Sequence, residues 1–348
     1  MAKKRSVGIG LVGLGFMGLT HLRAARGLRG GKVVAISTSD PKKARGDFSS
    51  VGGNFGDGGG KENMKGIEVH PSLDALIEDD NVDLVDICLP SYLHAAAAIR
   101  CLRAGKAVLV EKPVALDPAD ARKMLQAAKK ARKQLMVAQV LRFMPEFSLL
   151  TDAVQAGRWG KLLALHMRRI IAMPDWGDSS WFSDPKKSGG MVIDLHIHDT
   201  DFIVHLAGKP AAVSSTGLVD KKGVNFIRTT YHPRAKGPLL SSEGGWLNAP
   251  GLGFEHGYDA YFEKATVHFN SSTAPRPLLY TTAGREARKL VIKPVEGFAR
   301  ELQTAVDSVK SGKVDPLLQA AGAADSLAVC KAEERSVRSG GRKVKLGS

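Results

Sequence analysis

Short, uninterrupted apolar runs alternate with amphipathic stretches through the first 140 or so residues. Ser6 to Val12, Lys32 to Ser37, Val82 to Leu89, Ala107 to Val110 and Leu135 to Gln139 each read as a buried strand. Between them, helices are predicted from about Gly15 to Leu28, after Asp40-Pro41, through Ile77, over Leu93 to Ala104, and from Asp117-Pro118 to about Lys133. This alternation predicts a right-handed parallel α/β sheet. The pattern changes after about Leu141. A helix over Pro145 to Gln155 precedes strand-like segments at Leu162 to Ile171, Ala212 to Leu218, Phe226 to Tyr231 and Ala265 to Phe269. One helix, Gly190 to Leu206, interrupts them, so a largely antiparallel second sheet is expected. Helices over Val295 to Lys310 and Leu317 to Arg335 and a short Arg342 to Leu346 strand close the chain. The glycine-rich stretch Val51 to Lys61 predicts a mobile loop, and Pro174 to Lys187 and Glu243 to His256 predict pocket-walling loops. The expected architecture is α/β plus α+β, divided into residues 1–141 and 142–348.

Composition adds exclusions. With 348 residues, 43% of them hydrophobic, the core needs no disulfide or metal staple. Cys88, Cys101 and Cys330 lack paired spacing and read as buried thiols of a reducing compartment. No apolar window reaches the ~18 residues of a membrane span, and Gly8, Gly10, Gly13, Gly15 and Gly18 break the only signal-like segment, so the cytoplasm is the default expectation. A net charge of +15 raises the question of nucleic acid. The bases are dispersed, aromatic content is 6% and no nucleic-acid-binding motif appears, which favours a solvated basic surface suited to phosphate-bearing ligands.

Gly13-Leu14-Gly15-Phe16-Met17-Gly18 is G-x-G-x-x-G between the first strand and the first helix. The first glycine permits a tight turn, the second lets backbone approach a pyrophosphate, and the third lets helix pack on strand. Helix N-terminal amides then face the phosphates. An acidic residue ending the second strand would clasp a ribose 2′-hydroxyl; Ser37-Thr38-Ser39 stands there instead. Hydroxyls can donate to a 2′-phosphate, and Lys42, Lys43 and Arg45 can supply charge, so the reading leans to NADP over NAD. Asp40 remains the alternative ribose ligand.

Two further patterns carry chemistry. Lys112, in Glu111-Lys112-Pro113, follows the Ala107 to Val110 strand, at the strand end where open α/β sheets bind ligands. Partial burial there suits an amine to proton transfer. In Gly189-Gly190-Met191-Val192-Ile193-Asp194-Leu195-His196-Ile197-His198, Asp194 and His198 are one helical turn apart, so the carboxylate can orient the imidazole; Phe202 and His205 continue the stripe. A metal site built from His196, His198, Asp199, Asp201 and His205 is the competing reading; no cysteine accompanies them, His196 and His198 face apart, and no metal is expected.

Together these motifs, with Leu89-Pro90-Ser91-Tyr92-Leu93-His94 and Ala104-Gly105-Lys106, resemble the Gfo/Idh/MocA family of glucose–fructose oxidoreductase and inositol dehydrogenase-like enzymes over nearly the whole chain. The resemblance implies an N-terminal Rossmann domain and a C-terminal domain with an open, mostly antiparallel sheet whose outer face often forms a homo-oligomer interface, here a dimer or tetramer. It implies that Lys112 is the active-site lysine and that Asp194 and His198 are the family's carboxylate and histidine. Pro90 and His94 match the loop near the nicotinamide, and Glu111 is placed with the cofactor. Ser91 and Thr38 depart from the family's usual asparagine and acidic residue.

The expected activity is reversible hydride transfer between nicotinamide and a sugar or cyclitol-like polyol. His198 is the base oriented by Asp194 and Lys112 stabilises the reacting oxygen, although the two roles could be exchanged. Arg142, Trp176 and Trp181 are candidates for the substrate wall. The rival readings are a non-catalytic dinucleotide sensor or scaffold, a hydrolase or lyase using bound NAD transiently, and a nucleic-acid binder.

Overall fold

The valine-, leucine- and isoleucine-rich runs pair because strands buried on both faces need apolar side chains at every position. A computed structural model of the chain describes residues 6–53, 58–173, 179–182, 184–221, 223–249, 251–282, 284, 286–292 and 295–347. Strands β1 (Val7–Val12), β2 (Gly31–Ser37), β3 (Glu68–His70), β4 (Leu84–Ile87), β5 (Ala107–Glu111) and β6 (Leu135–Ala138) form a parallel sheet of order β3-β2-β1-β4-β5-β6. Every residue of β1, β4, β5 and β6 is buried, whereas the edge strand β3 is largely exposed. Helices α1 (Phe16–Ala24), α2 (Pro41–Ala44), α3 (Leu73–Glu78), α4 (His94–Arg103) and α5 (Pro118–Ala131) connect them. Asp117 caps α5 by accepting from the Ala119 amide at 2.6 Å, with Pro118 at its first position, as the sequence predicts.

The chain divides into two compact units. The first comprises Met1–Val140, Trp176–Trp181 and Glu296–Ala324; the second comprises Leu141–Asp175, Phe182–Val295 and Asp325–Ser348. Within the first, the later helix labelled α10 below (Gly297–Ser311) lies on α1.

The second unit follows α6 (Pro145–Gln155) with β7 (Leu162–Ala172), the single turns α7 (Ser179–Phe182) and α8 (Pro185–Ser188), and α9 (Ile197–Ala207). Strands β8 (Ala212–Asp220), β9 (Gly223–His232), β10 (Leu239–Leu247), β11 (Glu255–Phe262), β12 (Ala265–Asn270), β13 (Ala274–Thr281) and β14 (Arg288–Lys289) come next, then α10, α11 (Ala320–Arg338) and β15 (Val344–Lys345). Its nine-stranded sheet runs β14-β13-β12-β11-β7-β10-β9-β8-β15. All neighbours are antiparallel except β7 and β10. Phe147 of α6 centres an aromatic cluster on this sheet, with Phe202, Tyr258 and Phe269 rings at 5.3, 5.6 and 5.8 Å.

Residues 54–57 of the expected mobile loop lie outside the described residues; its ends are anchored, with Asp47 bridging Lys61, Phe48 N–H donating to Gly60 O and Gly59 N–H to Val51 O, both at 2.8 Å. Phe48 and Val51 enter the core beside α1, and Arg23 holds Glu62 at 2.7 Å. At Gly53 a Cβ would collide with the Phe16 ring. One glycine-containing stretch differs from its sequence reading: Glu243 to Leu247 is no pocket loop but the buried half of β10. Gly244 and Gly245 are needed because side chains there would run into His196 and Phe226.

Candidate active site

The candidate dinucleotide site is the turn from β1 into α1. Gly13 has φ +90, and a Cβ on it would stand 2.5 Å from the Cys88 carbonyl carbon and oxygen, so the turn is seated on the end of β4. A Cβ on Gly18 would collide with Gly13 O. Gly15 differs: it is exposed, its φ is ordinary and a Cβ there would touch nothing. It caps α1 without a side chain, and no acidic residue occupies the first turn. Open space before the amides of Phe16, Met17 and Gly18 fits a pyrophosphate, and a side chain at residue 15 would fill it. At the end of β2, Thr38 Oγ1 accepts from the Asp40 amide at 3.1 Å. The Asp40 carboxylate turns back to cap α2, accepting from Lys42 N–H at 2.8 Å and Lys43 N–H at 3.4 Å.

The strand register carries Lys112 to the same end of the sheet. Val12 pairs with Ile87 and Ile87 with Val110, so Gly13, Cys88 and Glu111-Lys112 follow at the carboxyl ends of β1, β4 and β5. Two strand spacings of ~5 Å each separate β1 from β5. The strand order reverses between β1 and β4, which is the switch point where such sheets bind ligands.

Buried side chains hold this end in place. His94 is 1% exposed, with Nδ1 2.7 Å from Pro113 O and Nε2 2.7 Å from Leu89 O. Burial sets its pKa below the ordinary value against the pull of these carbonyls. In the neutral form that burial favours, His94, expected near the nicotinamide, has one N–H to donate to either Pro113 O or Leu89 O, between the loops after β4 and β5. Pro90 begins the loop that leads into α4. Glu111 is also buried; its Oε2 accepts from Lys112 N–H at 2.9 Å and its Oε1 lies 3.1 Å from His21 Nε2. His21 was not foreseen. Its Nδ1 lies 2.9 Å from Asp86 Oδ2, with Cys88 Sγ 3.5 Å away. Burial alone would lower its pKa, but Asp86 and Cys88 together outweigh this and hold the ring well above its ordinary value. The legible signal was an ionisable residue one turn into the dinucleotide helix.

The second unit supplies one long helix, from Gly190 through a wider π-helical segment, Val192–His196, into α9. From Met191 to Val204 only Asp194 and His198 are not fully buried. Phe202, expected to continue their stripe, is wholly buried, and His205 is half-buried with its pKa lowered by burial and by Arg142. The remaining polar residues have protein partners. Arg169 grips Asp199 (2.9 Å), and Arg142 binds Asp201 through Nε and Nη2 at 2.9 and 2.7 Å, with Ser326 Oγ donating to Asp201 at 2.8 Å. Thr200 Oγ1 lies 3.0 Å from Tyr231 Oη and donates to Glu333 Oε2 at 3.1 Å, and His196 Nε2 lies 3.1 Å from Ser242 Oγ. Arg142 is therefore committed to the buried base of the helix. Trp181 sits half-buried in α7, and Trp176 lies outside the described residues. Asp199 and Asp201, members of the competing metal-site reading, are with Thr200 the helix's anchors in the fold.

A parallel sheet with a G-x-G-x-x-G turn at its switch point defines a Rossmann dinucleotide-binding protein. Residues 7–139 match the family model for the oxidoreductase family with an NAD-binding Rossmann fold, and 147–234 match the GFO/IDH/MocA C-terminal domain. The chain is 30% identical over 315 residues to a myo-inositol 2-dehydrogenase of Thermotoga maritima, covering 88% of this chain and 89% of that protein. It is 32% identical over 221 residues to an inositol 2-dehydrogenase of Rhizobium meliloti strain 1021, covering 62% of this chain and 60% of that protein. A solved levoglucosan dehydrogenase, in complex with NADH and levoglucosan, superposes with a TM-score of 0.82 at 20% identity, covering 99% of this chain and 100% of that one. The chain belongs to the Gfo/Idh/MocA family of NAD(P)-dependent dehydrogenases. Among the described residues no helix is long and apolar enough to cross a membrane.

Proposed function

We propose that this protein transfers hydride between a nicotinamide dinucleotide and a hydroxyl-bearing carbon of a sugar or cyclitol-like polyol. The first unit holds the dinucleotide and the second the polyol and a homo-oligomeric contact. The observation that carries this reading is the helix from Gly190 to Ala207: it is buried around Asp194 and His198, and these two alone between Met191 and Val204 retain access to solvent. A partly exposed carboxylate and imidazole one helical turn apart suit proton transfer. The names of the relatives, inositol dehydrogenases among them, support a cyclic polyol.

The bound dinucleotide supplies the two-electron hydride acceptor or donor. The amides of Phe16, Met17 and Gly18 hold its phosphates, and Gly13 and Gly15 leave them room. NADP is preferred because the Asp40 carboxylate is occupied by the amides of α2, leaving Ser37, Thr38 and Lys42 to meet a 2′-phosphate. In oxidation, His198 takes the hydroxyl proton while Asp194 orients the ring. Lys112 donates to the substrate oxygen as negative charge develops on it.

The test is a panel of cyclitols and sugars, myo-inositol included, assayed with NADP and NAD. Turnover of one polyol with NADP ahead of NAD is expected. Tight NADPH binding with no reduction or oxidation of any polyol or ketose would defeat the reading.

A further inference from the structure

The mechanism leaves one group of buried ionisable residues unused. His21 stands on α1, Asp86 on β4 and Glu111 at the end of β5, with side chains 0%, 2% and 7% exposed. The imidazole has a carboxylate against each nitrogen, Asp86 Oδ2 at 2.9 Å and Glu111 Oε1 at 3.1 Å. The first is an aligned hydrogen bond; the second is an ion-pair contact off the N–H axis. Two carboxylates on one ring favour the doubly protonated form, because a neutral ring would turn a lone pair on one of them. Glu111 then reaches beyond the ring: its other oxygen accepts from the Lys112 backbone N–H at 2.9 Å. On the far side of the tripeptide, His94 Nδ1 lies 2.7 Å from Pro113 O. The ring of Phe298 from α10 lies over His21 with centroids 6.0 Å apart.

We propose that His21 is a positioning residue that ties the phosphate-binding helix α1, through Glu111, to the backbone of Lys112. Gly13 rests on the Cys88 backbone two residues beyond Asp86, so the phosphate turn and the lysine turn share one buried support. The inference rests on the reading of Lys112 as a catalytic residue, and its consequence is that loss of the ring loosens the lysine's turn without emptying the dinucleotide site.

The experiment is amide hydrogen exchange of the segment 109–114 in the full chain, with and without NADPH, in wild type and His21→Phe. The phenyl ring keeps the tilted ring contact with Phe298 and removes both ion pairs. Exchange at Lys112 is expected to rise at least about tenfold, equal to ~1.4 kcal/mol of lost protection, while the affinity for NADPH stays within about threefold of wild type. Where a polyol is turned over, kcat falls and KM does not. Asp86→Asn keeps the side chain's shape but removes the charge that holds the second proton, and serves if the phenylalanine variant does not fold; faster exchange at Lys112 is expected there too. Unchanged exchange at Lys112 in a folded variant overturns the proposal. Faster exchange with unimpaired kcat would leave the tie standing and remove Lys112 from the chemistry.

Discussion

Single atoms decide much of the first unit's behaviour. The three glycines of the phosphate turn look alike in the sequence but answer to different constraints. Gly13 carries a left-handed φ and no room for a Cβ, so Gly13→Ala is expected to destabilise the fold by about 2–4 kcal/mol, read as a lower urea midpoint. Gly15→Ala meets nothing in the protein. It is expected to leave the urea midpoint unchanged while weakening NADPH binding by at least about tenfold, so full affinity in that variant would remove the phosphates from this turn. At the end of β2, Thr38→Asp is expected to reverse the preference between NADP and NAD, because a carboxylate there repels a 2′-phosphate and accepts from a ribose hydroxyl. The ratio of kcat/KM for the two cofactors checks it. The glycine spacing was legible because it is local. His21 was not, because its carboxylate partner Asp86 is 65 positions away and only strand pairing brings them together.

Among elements, the helix from Gly190 to Ala207 shows how burial separates chemistry from support. The four-residue spacing of Asp194 and His198 marks them as a pair in the sequence, but periodicity could not say which polar neighbours were anchors. Asp199 and Asp201 face Arg169 and Arg142, residues contributed by other elements far off in sequence. Asp201→Ala strands the Arg142 guanidinium, which is 4% exposed, and is expected to cost ~3–5 kcal/mol of stability in urea unfolding. Beside these pairs, burial and Arg169 depress His256 to a pKa of about 3. The unfolded chain therefore takes up that proton first. Stability contributed by neutral His256 is complete above its ordinary pKa, near 6.5, and drains away as pH falls towards 3. The melting temperature should drop between pH 7 and 4.5, and His256→Gln should flatten that slope; an equally steep slope in the variant would exclude the residue. Strands were read where apolar runs were continuous. β10 was missed because Gly244 and Gly245 look like a turn, although their missing side chains make space for His196 and Phe226.

For the whole molecule, a parallel sheet followed by a mostly antiparallel one was legible because the two burial patterns differ, every position apolar against alternate positions. Membership of an NAD(P)-dependent dehydrogenase family followed from motifs with fixed spacing, while the substrate did not, because pocket walls come from segments without periodic signal. We propose proton-transfer roles for Lys112 and His198 in polyol chemistry. The most direct measurement is kcat/KM of Lys112→Ala and His198→Ala for whichever polyol the wild type turns over, together with the NADPH dissociation constant of each. Losses of about 10²–10⁴ in kcat/KM are expected for both variants, with dissociation constants close to wild type. Wild-type turnover in either variant would contradict it.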